Sequence, residues 1–473
     1  MSSTATIQIT GGVRIVVPNS LHLITPYVLL EQQDWFEDEI KFLRRLLQPG
    51  QQVVDIGANH GVYSLSMAQT VGPTGRVWAF EPASATARLL AESITANGFS
   101  HVQLEVSALS DHCGSATLSL NTNSELNTLV SEAGAGGASE TVPLLTLDEC
   151  MARQPWREID FVKIDAEGEE SRILAGGTRF FAELSPLVQY EVKAGRELHL
   201  ELVQQFAAMG YASYRLVPGL DLLVPFDAQA VPDAYLLNLF CCKADRALLL
   251  AAQGVLFDAR LQADAAAAAP SLADARQHAT DPCYDWRLTL GRLPYGARFV
   301  PHWQVAATDE GLADALALYA LAQDTGQSIG MRFLALETSL GLFRACSARQ
   351  PQRLHWASVA RVAAELGARS MAVGALQHLC TAMQQGQPLD ASQPFLAPST
   401  RFDAVPPGEA FGNWLLAAAT EELERLGSYS SFYTGTSARP RLELIHAIGL
   451  GSDEMKRRLH LVQKRFNLTM GPA

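Results

Sequence analysis

Apolar runs of strand length recur through the first half of the chain, at 52–56, 76–80, 102–108, 159–164, 187–192, 211–217 and 234–241. Helix-like stretches separate most of them, at 61–70, 84–97, 168–182 and 197–209. Such alternation predicts a mainly parallel sheet covered by helices on both faces. The last two runs have no convincing helix between them, and Pro218-Gly219 and Pro225 break the connection, so an antiparallel hairpin is expected there. After Lys243 the texture changes. Residues 244–275 are alanine-rich, with the run Ala265–Ala269 ahead of Pro270, and read as a helix followed by a linker. From about 309 the pattern predicts helices over 309–324, 328–348, 355–366, 369–385, 409–427, 439–449 and 452–466. Gly326, Pro351, Gly367, Pro388 and Pro406-Pro407 punctuate them. Small residues in Val362–Gly367 and Ala372–Leu376 suit two closely packed helices of a helical repeat, and suit an unrelated bundle equally well. The expected division is 1–243, a linker region 244–300, and an all-α domain 301–473.

Ligands of open α/β sheets bind outside the carboxyl ends of the strands, so residues just after each apolar run are the functional candidates. The first run continues as Asp55-Ile56-Gly57-Ala58-Asn59-His60-Gly61-Val62-Tyr63, a strand, a tight turn and a helix start. Gly57 permits a positive φ and, lacking a side chain, a close approach of ligand to backbone. Glu81 ends the second run, a spacing that suits a carboxylate taking both hydroxyls of a ribose. Asn59 stands where a diphosphate-binding fingerprint needs its second glycine. S-adenosylmethionine, a ligand without phosphates, therefore fits the loop better than NAD, and Asp55 is placed to meet its cationic amino-acid moiety. An ordinary strand–turn–helix is the bland alternative. Ala108, in Ser107–Asp111 after the third run, is placed to border an adenine ring or to form a plain surface turn. The fourth run delivers Lys163, Asp165 and Glu167 to the same edge, and Gly168 then precedes a helix with acids in its first turn. Two carboxylates and an amine at one strand end can accept a hydroxyl proton or hold a divalent cation. Glu169 and Glu170 read as helix-capping acids. Glu191, ending the fifth run, is placed to meet substrate or Lys163.

Four segments together resemble FkbM-type methyltransferases: Asp55–Gly61, Phe80-Glu81-Pro82, Lys163–Gly168 and Tyr190-Glu191. Thr146-Leu147-Asp148 fits the same pattern, and Trp35–Glu39 with Leu46–Gly50 resembles the family's lead-in helix. The resemblance spans about residues 13–243. It implies a Rossmann-like class I α/β fold with a seven-stranded sheet, and methyl transfer from S-adenosylmethionine to a hydroxyl oxygen of a sugar, glycan or related biosynthetic product. It further implies that Asp55, Gly57, Asn59, Gly61 and Glu81 hold the cofactor, with Ala58 in the same loop, and that Asp165 lies beside the transferred methyl. Asp165, Glu167 or Glu191 would act as the base, or Asp165 and Glu167 would hold magnesium. Ala166 stands where a valine is commoner. His60 fills a variable position and reads either as a base or as a solvated loop residue.

Composition narrows the partners. At 473 residues the chain exceeds one ordinary core, and a net charge of −13 argues against a nucleic-acid backbone as partner. Seven cysteines at 113, 150, 241, 242, 283, 346 and 380 form no Cys-x-x-Cys pair, and no apolar run reaches membrane-spanning length. With no charged N-terminal region ahead of a long apolar core, a reducing cytoplasm is expected. In the second half, His302-Trp303, Arg401–Asp403 and Ser428–Tyr433 read as sugar-facing loops or as loop packing, and Lys456–Arg458 with Lys464-Arg465 as a basic surface or a solvated helix face. That half is expected to recognise the acceptor, to form a homo-oligomer or to bind a partner protein. Two readings compete with the enzyme: a scaffold with a subordinate methyltransferase fold, and an NAD-dependent oxidoreductase.

Overall fold

The computed structural model describes residues 4–130, 138–194, 197–198, 200–262, 270–303, 310–351 and 354–468. The chain forms two compact units. The first comprises Met1–Leu216, Leu223–Pro232 and Leu236–Gln253; the second comprises Val217–Leu222, Asp233–Tyr235 and Gly254–Ala473.

The first unit opens with a hairpin, β1 (Thr4–Gln8) and β2 (Arg14–Pro18), then two helices, α1 (Ile24–Gln32) and α2 (Asp38–Leu46). The alternating elements follow: β3 (Gln52–Ile56), α3 (Val62–Val71), β4 (Arg76–Phe80), α4 (Ser84–Asn97) and β5 (Val102–Glu105). Next come four strands of a separate sheet, β6 (Ala108–Leu109), β7 (Gly114–Ser119), β8 (Thr128–Val130) and β9 (Ser139–Leu145). The main alternation resumes with α5 (Leu147–Arg153), β10 (Phe161–Ile164), α6 (Glu170–Ala175), α7 (Thr178–Leu184) and β11 (Leu187–Glu191). A two-stranded ribbon, β12 (Lys193–Ala194) with β13 (Glu197–Leu198), precedes α8 (Glu201–Ala208), β14 (Ala212–Val217), β15 (Leu222–Pro225) and β16 (Asn238–Cys242).

The main sheet runs β15-β14-β16-β11-β10-β3-β4-β5. Its pairs from β11 to β5 are parallel, whereas β16 is antiparallel to both β11 and β14. The expected antiparallel pairing of the last two runs is present. The sheet has eight strands, however, not seven: Leu222–Pro225 adds an edge strand beyond the Pro218-Gly219 break, an edge being where proline is tolerated in a sheet. The run at 102–108 also divides, its first residues pairing in the main sheet and Ala108-Leu109 pairing with β9. The helix expected over 168–182 is broken at Gly176-Gly177. A Cβ on Gly176 would lie 2.1 Å from the Ser110 carbonyl oxygen, so the backbone passes where no side chain fits. One face of the sheet packs a chain of edge-to-face rings, Trp78, Trp156, Phe180 and Phe181, with Phe206 and Tyr211 beyond.

The second unit is helical. The first unit closes with α9 (Ala244–Ala252), and the elements of the second are α10 (Leu272–His278), α11 (Trp286–Gly291), α12 (Pro294–Trp303), α13 (Glu310–Gln323), α14 (Ile329–Arg349), α15 (His355–Glu365), α16 (Arg369–Gln384), α17 (Phe411–Gly427), α18 (Ser431–Thr434), α19 (Arg439–Ile448) and α20 (Asp453–Arg465). From α13 to α17 each helix packs on the next, and Ala360, Ala363, Ala372 and Ala375 are buried in the helices α15 and α16, which pack on each other. Three helices between 272 and 303 were not expected from the pattern, and the run Ala265–Ala269 lies outside the described residues. Trp303 is fully buried against Trp286, Phe299 and Phe395, with its indole N–H donating to the Ala391 carbonyl at 2.8 Å. Arg401 and Asp403 are held by Glu421 and Arg361, and Phe402 is buried. In the basic helix, Arg458 is buried. Among the described residues no helix is long and apolar enough to cross a membrane.

Candidate active site

β3 lies between β10 and β4, so the chain leaves the sheet centre in opposite directions on its two sides. This is the switch point at which the carboxyl ends of neighbouring strands leave a crevice. The register places Lys163 beside Asp55 and Ile164 beside Ile56. An open cavity of about 990 Å³ sits there, a size suited to a small-molecule ligand.

The β3–α3 loop forms one wall. Ile56, Gly57, Ala58, Asn59 and His60 line the cavity. Gly57 has φ 81°, and a Cβ on it would lie 1.8 Å from the Asp165 carbonyl oxygen. The loop after β10 thus requires a glycine here whatever the cavity binds. Gly61 is not part of the lining: it precedes α3 with φ 82°, and a Cβ there would meet Leu90 at 2.3 Å, which makes it a packing residue. Asn59, also left-handed at φ 50°, donates its backbone N–H to Glu81 Oε2 at 2.9 Å, and its side-chain oxygen accepts from Ser124 at 2.9 Å. Glu81 Oε1 accepts the Ala83 N–H at 2.8 Å. Burial raises the Glu81 pKa to about 7 against the pull of these two N–H donors. His60 is buried rather than solvated, and desolvation lowers its pKa to about 4, so it is neutral at pH 7.

Asp55 is fully buried and lines the cavity. Its Oδ2 accepts the Ser64 hydroxyl at 2.5 Å, while Oδ1 has no hydrogen-bond partner among the described residues. Burial raises its pKa, opposed by Lys163 and Ser64. Lys163 is also buried, with its ammonium 2.5 Å from Asp165 Oδ2 and 4.7 Å over the Tyr63 ring. Burial works against that charge, but Asp165, Asp55 and Glu37 together hold its pKa above the ordinary lysine value. One oxygen each of Asp165, Glu167 and Glu191 falls within 4.8 Å of the others. Glu167 takes φ 49° to reach this position. Burial first, then Asp165 and Glu170, raises the Glu167 pKa to about 8; burial with Asp165, Glu167 and Glu37 raises Glu191 to about 10. Asp165 and Glu167 line the cavity itself, whereas Glu191 stands behind them in the cluster. Ala108 lines the cavity from β6. Of the two acids expected to cap a helix, Glu170 accepts the N–H groups of Ala166 (2.9 Å) and Gly168 (3.1 Å), and Glu169 accepts the Ser110 hydroxyl at 3.0 Å and also lines the cavity.

Sequence reasoning missed part of the wall. Trp35 and Glu37 line the cavity from the segment before α2, which starts at Asp38 rather than at Trp35. Glu37 was inside a quoted motif, but nothing in its spacing marked it. Ser124, Glu125 and Asn127 come from the turn between β7 and β8, a polar run with no periodic signal.

The folds of several solved structures are similar to this one. A methyltransferase FkbM from Methylobacillus flagellatus KT is 16% identical, with 41% of this chain and 44% of that chain covered at a TM-score of 0.29. An S-adenosylmethionine-dependent O-methyltransferase from Thermotoga maritima is 14% identical over 50% and 77%, at 0.25. A structure from Streptococcus mutans in complex with S-adenosylhomocysteine is 10% identical over 43% and 95%, at 0.26. This chain spans less than half the length of the M. flagellatus structure. No curated protein matches the chain. The match that coincides with the site is to a domain family: residues 55–213, from Asp55 through β10 and β11, match the methyltransferase FkbM domain, and this part of the chain is a methyltransferase domain of that type.

Proposed function

We propose that the chain is an S-adenosylmethionine-dependent O-methyltransferase acting on a hydroxyl of a sugar, a glycan or a related biosynthetic product. The observation that carries this reading is the convergence, at one switch-point cavity, of the Gly57–Asn59 loop, Glu81, the partnerless Oδ1 of Asp55 and the Lys163–Asp165 pair.

These residues fit the cofactor. Asp55 Oδ1 offers an acceptor to an ammonium group, and each Glu81 oxygen keeps a lone pair for a ribose hydroxyl after accepting one backbone N–H. Ala108 gives a small apolar surface for a purine. When bound, S-adenosylmethionine supplies an electrophilic methyl group. The protein's own part is alignment and proton removal. Lys163 fixes Asp165 by their ion pair, and Asp165, with Glu167 and Glu191 beside it, takes the proton of an acceptor hydroxyl. The three carboxylate oxygens would equally serve as hard ligands to one magnesium ion.

Calorimetric titration with S-adenosylmethionine, S-adenosylhomocysteine and NAD tests the reading. Binding of the first two alone is the expected result. Glu81→Ala should weaken both by about 1.5–3 kcal/mol through loss of charged hydrogen bonds. Binding of NAD instead, or of neither, would pass the argument to the oxidoreductase or the scaffold.

A further inference from the structure

One wall of the cavity is built by a segment that no motif marks. Asp34–Glu37 links α1 to α2. Two Arg44 guanidinium nitrogens hold Asp34 at 2.6 and 2.7 Å, and Asp34 accepts the Trp35 backbone N–H at 2.8 Å. Glu37 Oε1 accepts the Trp35 indole N–H at 2.9 Å, while its Oε2 accepts the Tyr63 hydroxyl at 2.5 Å and the Asn238 amide at 3.1 Å. The indole is therefore tethered by its polar edge. It is only half-buried, stacks at a 31° tilt on Phe36 and forms part of the cavity lining. An aromatic ring held by its edge presents an apolar face. Trp35 lines a cavity rich in hydrogen-bond acceptors, among them Glu37, Asp165 and Glu167. A pyranose ring has the complementary make-up, a C–H face and a rim of hydroxyl donors.

The charge of the lining selects further. Among the described residues that line the cavity, Lys163 is the one lysine or arginine; its side chain is 4% exposed and already paired with Asp165. A phosphate or carboxylate brought in would meet no free cationic partner in that lining and would lie next to several carboxylates.

Resting on the methyltransferase reading above, we infer that Trp35 is the platform of the acceptor subsite and that this subsite admits a neutral sugar ring rather than a phosphorylated or acidic sugar. The test uses the full chain saturated with S-adenosylhomocysteine. Saturation-transfer NMR is recorded with neutral methyl hexopyranosides and with their 6-phosphate and uronate counterparts. The expected result is transfer to at least one neutral glycoside, with affinity falling about tenfold in Trp35→Ala and kept in Trp35→Phe. S-adenosylhomocysteine affinity should be unchanged in both variants, which also shows that the cofactor wall is intact. Transfer confined to charged glycosides, transfer to none, or undiminished binding in Trp35→Ala would overturn the subsite. If the wild-type protein fails to bind S-adenosylhomocysteine, the parent reading falls and takes the subsite with it; if it binds and the glycosides do not, the subsite alone falls.

Discussion

Both units bury charged side chains, but they balance them differently. In the helical unit, Glu421, Glu422, Glu424 and Glu454 face Arg401, Arg425, Arg441 and Arg458, acid for base. Burial alone would raise Glu454, yet Arg425 and Arg458 bring its pKa below the ordinary carboxylate value. In the sheet unit, Glu37, Asp55, Asp165, Glu167 and Glu191 share a single lysine, and Glu37, Asp55, Glu167 and Glu191 all shift upward. A closed network of arginines and glutamates is architecture: its charges are satisfied within the fold. An excess of buried acid beside a cavity is a site kept open for something else to bind, and perturbed carboxylates concentrate at such places.

Asp165→Asn is the strongest way to test this contrast. It removes the carboxylate aligned by Lys163 while conserving shape, so turnover, followed as S-adenosylhomocysteine release with an acceptor, should fall ~10²–10⁴-fold in protein shown to be folded by circular dichroism. Wild-type turnover would take Asp165 out of the mechanism. Arg458→Ala acts on the balanced network. It strips a partner from Glu424 and Glu454 and should destabilise the chain by about 3–5 kcal/mol in denaturant unfolding, leaving S-adenosylhomocysteine affinity unaltered. A negligible stability change would show that the network is ornamental. The smallest effect concerns pH. Glu167 keeps its proton in the folded state up to about pH 8 but loses it near 4.5 when unfolded, so its contribution to stability is present below 4.5 and disappears as pH rises through 8. Glu167→Gln should flatten that decline by on the order of 1 kcal/mol, discounted for the solvent its side chain still sees, as read from unfolding midpoints at pH 5 and pH 8. An unchanged slope would assign the pH dependence to other groups.

The parts legible in the sequence are those where one physical signal dominates. The strands around Val53–Ile56 and Phe161–Ile164 are buried on both faces and so read as unbroken apolar runs. The helices from 310 to 465 carry their own turn signals, and their ends were expected to within a few residues. The four-stranded sheet was hidden because much of β7 and β9 is exposed, so neither strand forms an apolar run. Gly61 was ambiguous because a glycine before a helix reads the same whether it makes room for a ligand or for Leu90. Trp35, Ser124 and Asn127 reach the cavity through tertiary folding alone, from elements whose local pattern says nothing about a ligand.

The contact between Gly57 and the Asp165 carbonyl bears on how this protein can be re-engineered. The loop that fits the cofactor and the loop that carries the carboxylates interlock at one atom pair, with no room for a methyl group. They are therefore a single exchangeable part rather than two. Recombination that imports either loop alone from a related protein must keep this glycine and the path of the opposing backbone.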